Sequence, residues 1–429
     1  MRILVVSYFF PPYNAIGAVR VGKTVKYLRA LGHDVRVLTA RDQPLSPTLV
    51  LEVPAECVVS TPWWDVNRPV QALLGGRERV AARGYVVGAG GNRARDLVRR
   101  AGAMYKAAVH WPDAQIGWAP FATRAGTRLL RAWRPDLVFA SAKPVTSLLV
   151  ARRLARRAGV PWVAEFRDLW TDEGGYSHRG LRRWIDERIE ARLLASMAGA
   201  VTVTEPLAET LRRRMRGEVE VVFNGFDPSD YPAAIPTRDG ELSLAYTGML
   251  YEGRQDPTPL FHALRLLRER GRQVRVRFYG RYLDHVARLA HEAGVSEQVE
   301  VHAPVSHREA TAIQAGADVL LHVLFTNEAE RGAFTGKVFE YLGARRPILA
   351  VGPQFNGAAR LIADRGAGIV LQDPNEIAER LSRWCEEKAA SGIPPLPAGL
   401  ADEFTRERQT RRLEAFLQRV LARVRGAVP

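Results

Sequence analysis

Short apolar runs alternate with longer amphipathic stretches along most of this chain. The first run, residues 3–7, is followed by a helical stretch near 17–31, and Gly32 then precedes a second run at 34–39. Glycine commonly ends a helix because it adopts the left-handed backbone conformation at low cost. Strands that alternate with helices in this way indicate a parallel sheet that is covered by helices on both faces.

The alternation is interrupted once and then starts again. Asn224-Gly225-Phe226-Asp227-Pro228 is dense in turn-forming residues, and a second series of strands and helices follows it from Ser243. We therefore predict two Rossmann-like α/β domains at 1–224 and 225–404 that face each other across a cleft, where ligands would bind. Apolar residues at helical spacing within 405–429 predict a last helix that packs back on the N-terminal domain.

Length and composition fit a two-domain globular protein. The 429 residues are too many for one core. Hydrophobic residues make up 47% and charged residues 25% of the chain, which is typical of globular proteins. No apolar run approaches the ~20 residues that cross a bilayer. Because the run at 3–7 is too short for a signal peptide, we interpret it as the first strand of a cytoplasmic protein.

The chain carries a net charge of +16, which suggests nucleic acid, an anionic membrane or an acidic substrate as partner. Nucleic-acid binding would predict a clustered basic stripe with stacking aromatic residues, whereas arginine is dispersed here. We therefore expect no nucleic-acid partner. The densest basic tract, 77–134, is partly amphipathic and predicts either a solvated helix face or a peripheral contact with the inner face of the cell membrane.

Residue types that commonly bind metals show no suitable spacing. Cys57 and Cys385 lie far apart in the chain, and the nine histidines form no metal-binding motif. No Asp-x-Asp pair is present to hold a divalent ion. These residue types therefore give no indication of a metal site.

The stretch at 334–343 combines a glycine-bearing loop with the start of a short helix. The first turn of a helix has unpaired N–H groups and the positive end of the helix dipole, which attract an anion. Lys337 adds a cation there, and Glu340 lies one turn later, where it can accept hydrogen bonds from two sugar hydroxyls. A phosphate with a vicinal diol describes a nucleotide; the alternative is an ordinary Lys–Glu pair on a surface helix.

Six motifs with a distinctive order occur over nearly the whole chain. They are Phe9-Phe10-Pro11-Pro12 with Gly17, Gly32-His33-Asp34-Val35, Trp111-Pro112-Asp113, Glu165-Phe166-Arg167-Asp168-Leu169-Trp170, Asn224-Gly225-Phe226-Asp227, and Phe339-Glu340-Tyr341-Leu342 with Pro347-Ile348-Leu349-Ala350. Each motif alone is weak evidence. Their shared order resembles the family 4 glycosyltransferases of GT-B fold, in particular members that build exopolysaccharide and O-antigen.

The resemblance implies a retaining enzyme that transfers a sugar from a nucleoside-diphosphate sugar to an acceptor hydroxyl. It also implies that no metal and no other cofactor is bound, so the enzyme's own side chains would stabilise the charge of the reaction. It implies that Lys337 and Arg254 stabilise the departing diphosphate, and that Arg167 and Asp168 contact the transferred sugar, its phosphate or the acceptor. The donor-binding residues that the matching motifs imply are Gly17, Gly248, Phe334, Thr335, Gly336 and Glu340.

Two positions depart from the family pattern and leave alternatives open. Met249 stands where an arginine is usual, and Gly332 stands where the first glutamate of the Glu-x7-Glu pair is expected. The expected acceptor is a lipid-linked glycan in cell-surface polysaccharide or glycolipid synthesis; a small-molecule natural product is the alternative. A nucleotide-sugar 2-epimerase of the same fold, and a non-catalytic protein that binds polyanions, are the other functions that the sequence permits.

Overall fold

The computed structural model describes residues 1–68, 109–172, 176, 178–232, 240–327 and 336–426. The chain divides into two compact units. The first comprises Met1–Val222 together with Leu413–Pro429, and the second comprises Phe223–Arg412. Each unit is built on its own parallel sheet, which confirms the predicted pair of α/β domains.

The first unit has a seven-stranded parallel sheet in the order β3-β2-β1-β4-β5-β6-β7. Its strands are β1 Arg2–Val6, β2 Asp34–Ala40, β3 Val58–Thr61, β4 Leu137–Ala142, β5 Trp162–Phe166, β6 Gly199–Thr202 and β7 Glu218–Val221. Its helices are α1 Ile16–Ala30, α2 Ala119–Ala132, α3 Thr146–Ala158, α4 Gly180–Leu194 and α5 Glu205–Arg214. The short edge strand β3 was not predicted, because only one of its four residues is buried and its sequence lacks an apolar run.

Successive residues of the central strands pack on opposite faces of this sheet, as a parallel sheet with two covered faces requires. Leu4 and Val6 join a core with helices α2 to α4. Ile3 and Val5 join a second core on the other face with α1 and with the last helix of the chain, α12 Arg406–Gly426. The part of α12 from Leu413 onward thus belongs to the first unit.

The second unit has a six-stranded parallel sheet in the order β10-β9-β8-β11-β12-β13. Its strands are β8 Leu242–Thr247, β9 Val274–Tyr279, β10 Val299–His302, β11 Val319–Val323, β12 Ile348–Val351 and β13 Gly368–Leu371. Its helices are α6 Thr258–Glu269, α7 Asp284–Glu292, α8 His307–Gly316, α9 Gly336–Ala344, α10 Gly357–Asp364 and α11 Pro374–Ser391. Among the described residues, none of the helices is both long and apolar enough to cross a membrane.

Candidate active site

In the first unit, Arg167 is fixed where strands β4 and β5 end. Its Nε donates to the carbonyl of Ala142 at 2.9 Å, and its Nη2 donates to the carbonyl of Lys143 at 3.0 Å. Gly17, in the first turn of α1, lies against the guanidinium: a Cβ added there would be 2.4 Å from Arg167 Nη1. Glycine at this position therefore allows the arginine to lie beside the start of α1.

Arg167 and Asp168 differ in their surroundings. Burial lowers the pKa of Arg167, and the negative charges of Glu165 and Asp168 oppose that shift. Asp168 itself is exposed. The structure thus brings Gly17 and Arg167 together, and it leaves the neighbouring carboxylate of Asp168 facing solvent.

A buried ion pair, which sequence reasoning missed, lies behind Arg167. Arg20 of α1 donates from Nε to Glu165 Oε1 at 2.8 Å and from Nη2 to the carbonyl of Val222 at 2.8 Å. Ser141 Oγ donates to the other oxygen of Glu165 at 2.7 Å. Burial alone would raise the pKa of Glu165, but the Arg20 charge and the Ser141 hydrogen bond hold that pKa below its ordinary value. Glu165 is therefore an ionised carboxylate with both oxygens engaged.

In the second unit, Lys337 crosses the backbone that follows β8. Gly248 has a left-handed φ of +110°, and a Cβ added there would lie 2.6 Å from Lys337 Cε. Beyond the glycine, Lys337 Nζ donates to the carbonyl of Met249 at 2.7 Å and to Tyr246 Oη at 2.6 Å. The ammonium also lies 4.3 Å from the centre of the Tyr246 ring, a cation–π distance. Glycine at 248 is thus a condition for this lysine position.

Protonation of Lys337 is finely balanced. Burial lowers the pKa of Lys337 to about 7, and the negative charge of Glu340 opposes the shift. Nearby His322, in β11, is buried, and burial together with the Lys337 charge lowers its pKa to about 3, so this imidazole is neutral. An anion bound beside Lys337 would favour the ammonium form and raise the lysine pKa again.

Glu340 lies one turn after Lys337 on α9 and is half-buried. Its Oε2 accepts a hydrogen bond of 3.3 Å from Gln314 Nε2, which also donates to Thr247 Oγ1 at 2.8 Å. The described residues offer Glu340 Oε1 no hydrogen bond, and they leave the buried Oε1 of Gln314 without a partner as well. Glu340 is only half-buried and so offers one acceptor oxygen beside the end of β8, whereas the oxygen of Gln314 is fully buried.

Arg254 occupies the same loop as Gly248 but has different neighbours. Its guanidinium is exposed and lies over the rings of Tyr251 and Phe325, at 5.2 and 5.1 Å from their centres. The backbone carbonyl of Arg254 accepts from Thr326 N at 3.0 Å, which ties the loop to the chain after β11. The arginine is thus held by stacking near the carboxyl ends of β8 and β11.

Phe334 and Thr335, two of the predicted donor-binding residues, lie outside the described residues. Gly336 is the first residue of α9 and is exposed, and no described atom comes within 4 Å of a Cβ added there. Packing among the described residues therefore does not require glycine at 336.

Chemically, the second unit combines three features that suit a phosphorylated ligand: a lysine whose pKa lies near 7, the first turn of a helix, and an acceptor oxygen of Glu340. Sequence reasoning proposed Lys337 and Glu340 as site residues but did not point to Tyr246 and Gln314, which contact them. In the sequence, Tyr246 is an ordinary residue of a strand and Gln314 an ordinary residue of a helix, so no sequence signal distinguishes them. Their contribution depends on strand order rather than on spacing along the chain.

Two family models match this chain. Residues 17–225 match a glycosyl transferase 4-like domain, and residues 241–387 match the glycosyl transferases group 1 family. No curated protein has a sequence that matches the chain.

Solved structures similar to this one cover almost the whole chain. Sucrose-phosphate synthase from Thermosynechococcus elongatus has a TM-score of 0.59 at 15% identity, with 98% of this chain and 99% of that chain covered. Anabaena Alr3699/HepE, solved in complex with UDP, has a TM-score of 0.59 at 12% identity, with 98% and 100% covered. A glycosyltransferase from Rickettsia africae has a TM-score of 0.57 at 12% identity, with 98% of each chain covered. At these identities the likeness is one of fold.

Proposed function

The chain belongs to the family 4-like glycosyltransferases of GT-B fold, since two family models of glycosyl transferases together span most of it, and from that premise we propose its reaction. The protein transfers a sugar from a nucleoside-diphosphate sugar to an acceptor hydroxyl, with retention of the anomeric configuration and without a bound metal. The observation that carries this proposal is the position of Lys337. Because residue 248 is a glycine, the lysine side chain can pass close to the backbone there, and its ammonium group is held at the carboxyl end of β8.

Stabilisation of the leaving diphosphate is the central task of such a reaction, because negative charge develops there in the transition state. Lys337 supplies one cation, and a diphosphate would draw its pKa up from about 7 into the fully charged range. Arg254, stacked on Tyr251 and Phe325, supplies a second cation with a planar donor edge suited to phosphate. With two cations and the first turn of α9, the site can balance the charge of a diphosphate without a metal.

Recognition of the nucleoside and of the diphosphate backbone falls to other residues of the second unit. Glu340 accepts hydrogen bonds from ribose hydroxyls through Oε1, for which the described residues provide no hydrogen bond. Gly248 leaves room for the Lys337 side chain, and the open space at Gly336 allows the ligand to approach the backbone. We assign Phe334 and Thr335, which lie outside the described residues, to contacts with the sugar and the diphosphate.

In the first unit, Gly17, Arg167 and Asp168 contact the acceptor or the transferred sugar. Retention without a covalent intermediate agrees with Glu165, whose two oxygens are engaged by Arg20 and Ser141 and therefore make it a poor nucleophile. The leaving phosphate would then help to deprotonate the acceptor hydroxyl. We assign the acceptor to cell-surface polysaccharide or glycolipid synthesis and place the enzyme in the cytoplasm, in peripheral contact with the membrane.

Calorimetric titration with UDP, GDP, dTDP, ADP and CMP, with and without EDTA, tests the proposal. UDP comes first because Anabaena Alr3699/HepE, a structural neighbour, was solved in complex with it. We expect one diphosphate to bind equally well in EDTA, and Lys337→Ala to reduce turnover at least ~10²-fold with the corresponding donor. Failure of all five nucleotides to bind would refute the proposed donor site. Isomerised or hydrolysed donor without acceptor would indicate an epimerase instead.

A further inference from the structure

Helices α2 and α3 of the first unit enclose a groove of about 730 Å³ on the protein surface. The two helices pack closely because α2 has a glycine at 126, where a Cβ would lie 2.5 Å from Leu154 Cδ1 of α3. The lining residues are Ile116, Ala119, Pro120, Thr123, Arg124, Thr127, Arg128, Arg131, Arg153 and Arg157. Five of these ten are arginines, so the groove is strongly cationic.

All charged side chains on these two helices are positive. Together α2 and α3 contain seven arginines and no aspartate or glutamate. Many of the arginines follow one another at a spacing of three or four residues, such as Arg124 with Arg128 and Arg153 with Arg157, where like charges repel. The guanidinium groups of the five arginines that line the groove form no hydrogen bond or ion pair with a described residue. An anion in the groove would relieve this repulsion.

The neighbouring helix α4 shows that this pattern is not a simple result of an arginine-rich chain. Arg182 of α4 pairs with Asp186 at 2.8 Å, and Arg183 pairs with Glu187 at 2.7 Å, each four residues away. Acidic partners at helical spacing thus occur on the helix beside α3, but not on α2 or α3 themselves. The missing carboxylates point to an external anionic partner.

The shape of the groove selects among anionic partners. Ala119, Thr123 and Thr127 follow one another every four residues on α2 and offer small side chains and hydroxyls between the arginines. From 116 to 131 the groove extends roughly 20 Å along the helix axis. A concave, elongated surface suits a flexible chain better than a planar membrane. Among the residues that the structure describes, no aromatic side chain lines the groove, and this part of it offers no stacking platform of the kind that single-stranded nucleic acids use.

We propose that this groove binds an acidic glycan, a polysaccharide chain that carries carboxylate or phosphate groups. Arginine guanidinium groups bind such anions with two parallel hydrogen bonds, and the threonine hydroxyls can bond to sugar hydroxyls between the charges. Binding of the acidic glycan is independent of the proposed transfer reaction. Its further assignment, as the part of the acceptor remote from the transfer site, rests on the proposed function.

Fluorescence anisotropy with an end-labelled short oligogalacturonate tests the proposal on the full-length protein at low ionic strength. The test variant is Arg128→Gln/Arg153→Gln, which removes two exposed groove arginines while keeping residues of good helix propensity. The matched control is Arg216→Gln/Arg265→Gln, which removes two exposed arginines that lie outside the groove. A neutral malto-oligosaccharide of the same length tests the need for negative charge.

We expect the wild type to bind the oligogalacturonate and not the neutral chain, with at least about tenfold weaker binding in the groove variant and little change in the control. Equal weakening in both variants would overturn the proposal in favour of diffuse charge attraction. Tighter binding of single-stranded DNA, or groove-dependent binding of phosphatidylglycerol vesicles without oligogalacturonate binding, would replace it with a nucleic-acid or membrane contact. The groove variant should bind nucleotides as tightly as the wild type does. Absence of nucleotide binding by the wild type would refute the proposed donor site without bearing on the groove.

Discussion

Affinity for the donor nucleotide should fall as pH rises from about 7 to about 9, because Lys337 loses its proton over this range. The comparison uses the wild type and Lys337→Met, whose side chain has a similar length and no charge. Burial lowers the pKa of this lysine to about 7 in the free protein. A bound diphosphate stabilises the ammonium form, so binding takes up a proton and becomes less favourable as protons become scarce.

The size of the effect follows from the pKa. At about pH 7, about half of the molecules carry the ammonium form, and at about pH 9 only about one in a hundred does. If the diphosphate raises the lysine pKa above 9, the dissociation constant should increase by about 50-fold, which is about 2.3 kcal/mol. The phosphate itself is fully ionised over most of this range, since its second pKa is about 6. As far as Lys337 is concerned, folding becomes more favourable from about pH 7 upward, so unfolding does not mimic the effect.

Calorimetry in two buffers that differ in ionisation enthalpy measures both affinity and proton uptake. We expect an uptake of about half a proton at about pH 7 that rises towards one at about pH 9. Lys337→Met should bind weakly and show little pH dependence over the same range. A wild-type affinity that stays constant between these pH values, or an equal decline in Lys337→Met, would refute the reasoning.

Three further substitutions separate ligand contacts from structural ones. Glu340→Gln should weaken nucleotide binding about tenfold with little change in turnover, and an unchanged dissociation constant would contradict the ribose contact. Gly248→Ala should lower the free energy of unfolding, measured in urea, by about 1–3 kcal/mol and should weaken nucleotide binding. The control is Gly253→Ala, which also lies at positive φ but has open space around it and should leave nucleotide binding unchanged. Glu165→Gln should cost about 3 kcal/mol because it breaks a buried ion pair, and Asp172→Asn, at a more exposed pair, less than about 1 kcal/mol; similar costs would contradict this.

Local sequence patterns were sufficient for most of the fold. Gly32 follows helix α1 at positive φ, as its position between a helical and an apolar stretch predicted. Fully buried strands such as β4 and β12 could be predicted from the sequence because a strand covered on both faces is largely apolar along its length. The edge strand β3 lacked this signal, since its partners lie on one side only and most of its residues stay partly exposed.

The sequence by itself determined that two parallel sheets form and that Lys337 and Glu340 share one face of one helix, because both depend on periodicities of a few residues. Tertiary structure alone decided that Arg20 meets Glu165, and that Lys337 reaches the carbonyl of Met249, 88 residues earlier in the chain. Tertiary structure also placed five of the seven arginines of α2 and α3 around one groove. Such contacts follow from strand order and side-chain packing, which bring distant segments of the chain together. They cannot be predicted from the periodicity of hydrophobic residues, because that periodicity reports only on neighbours within a few residues.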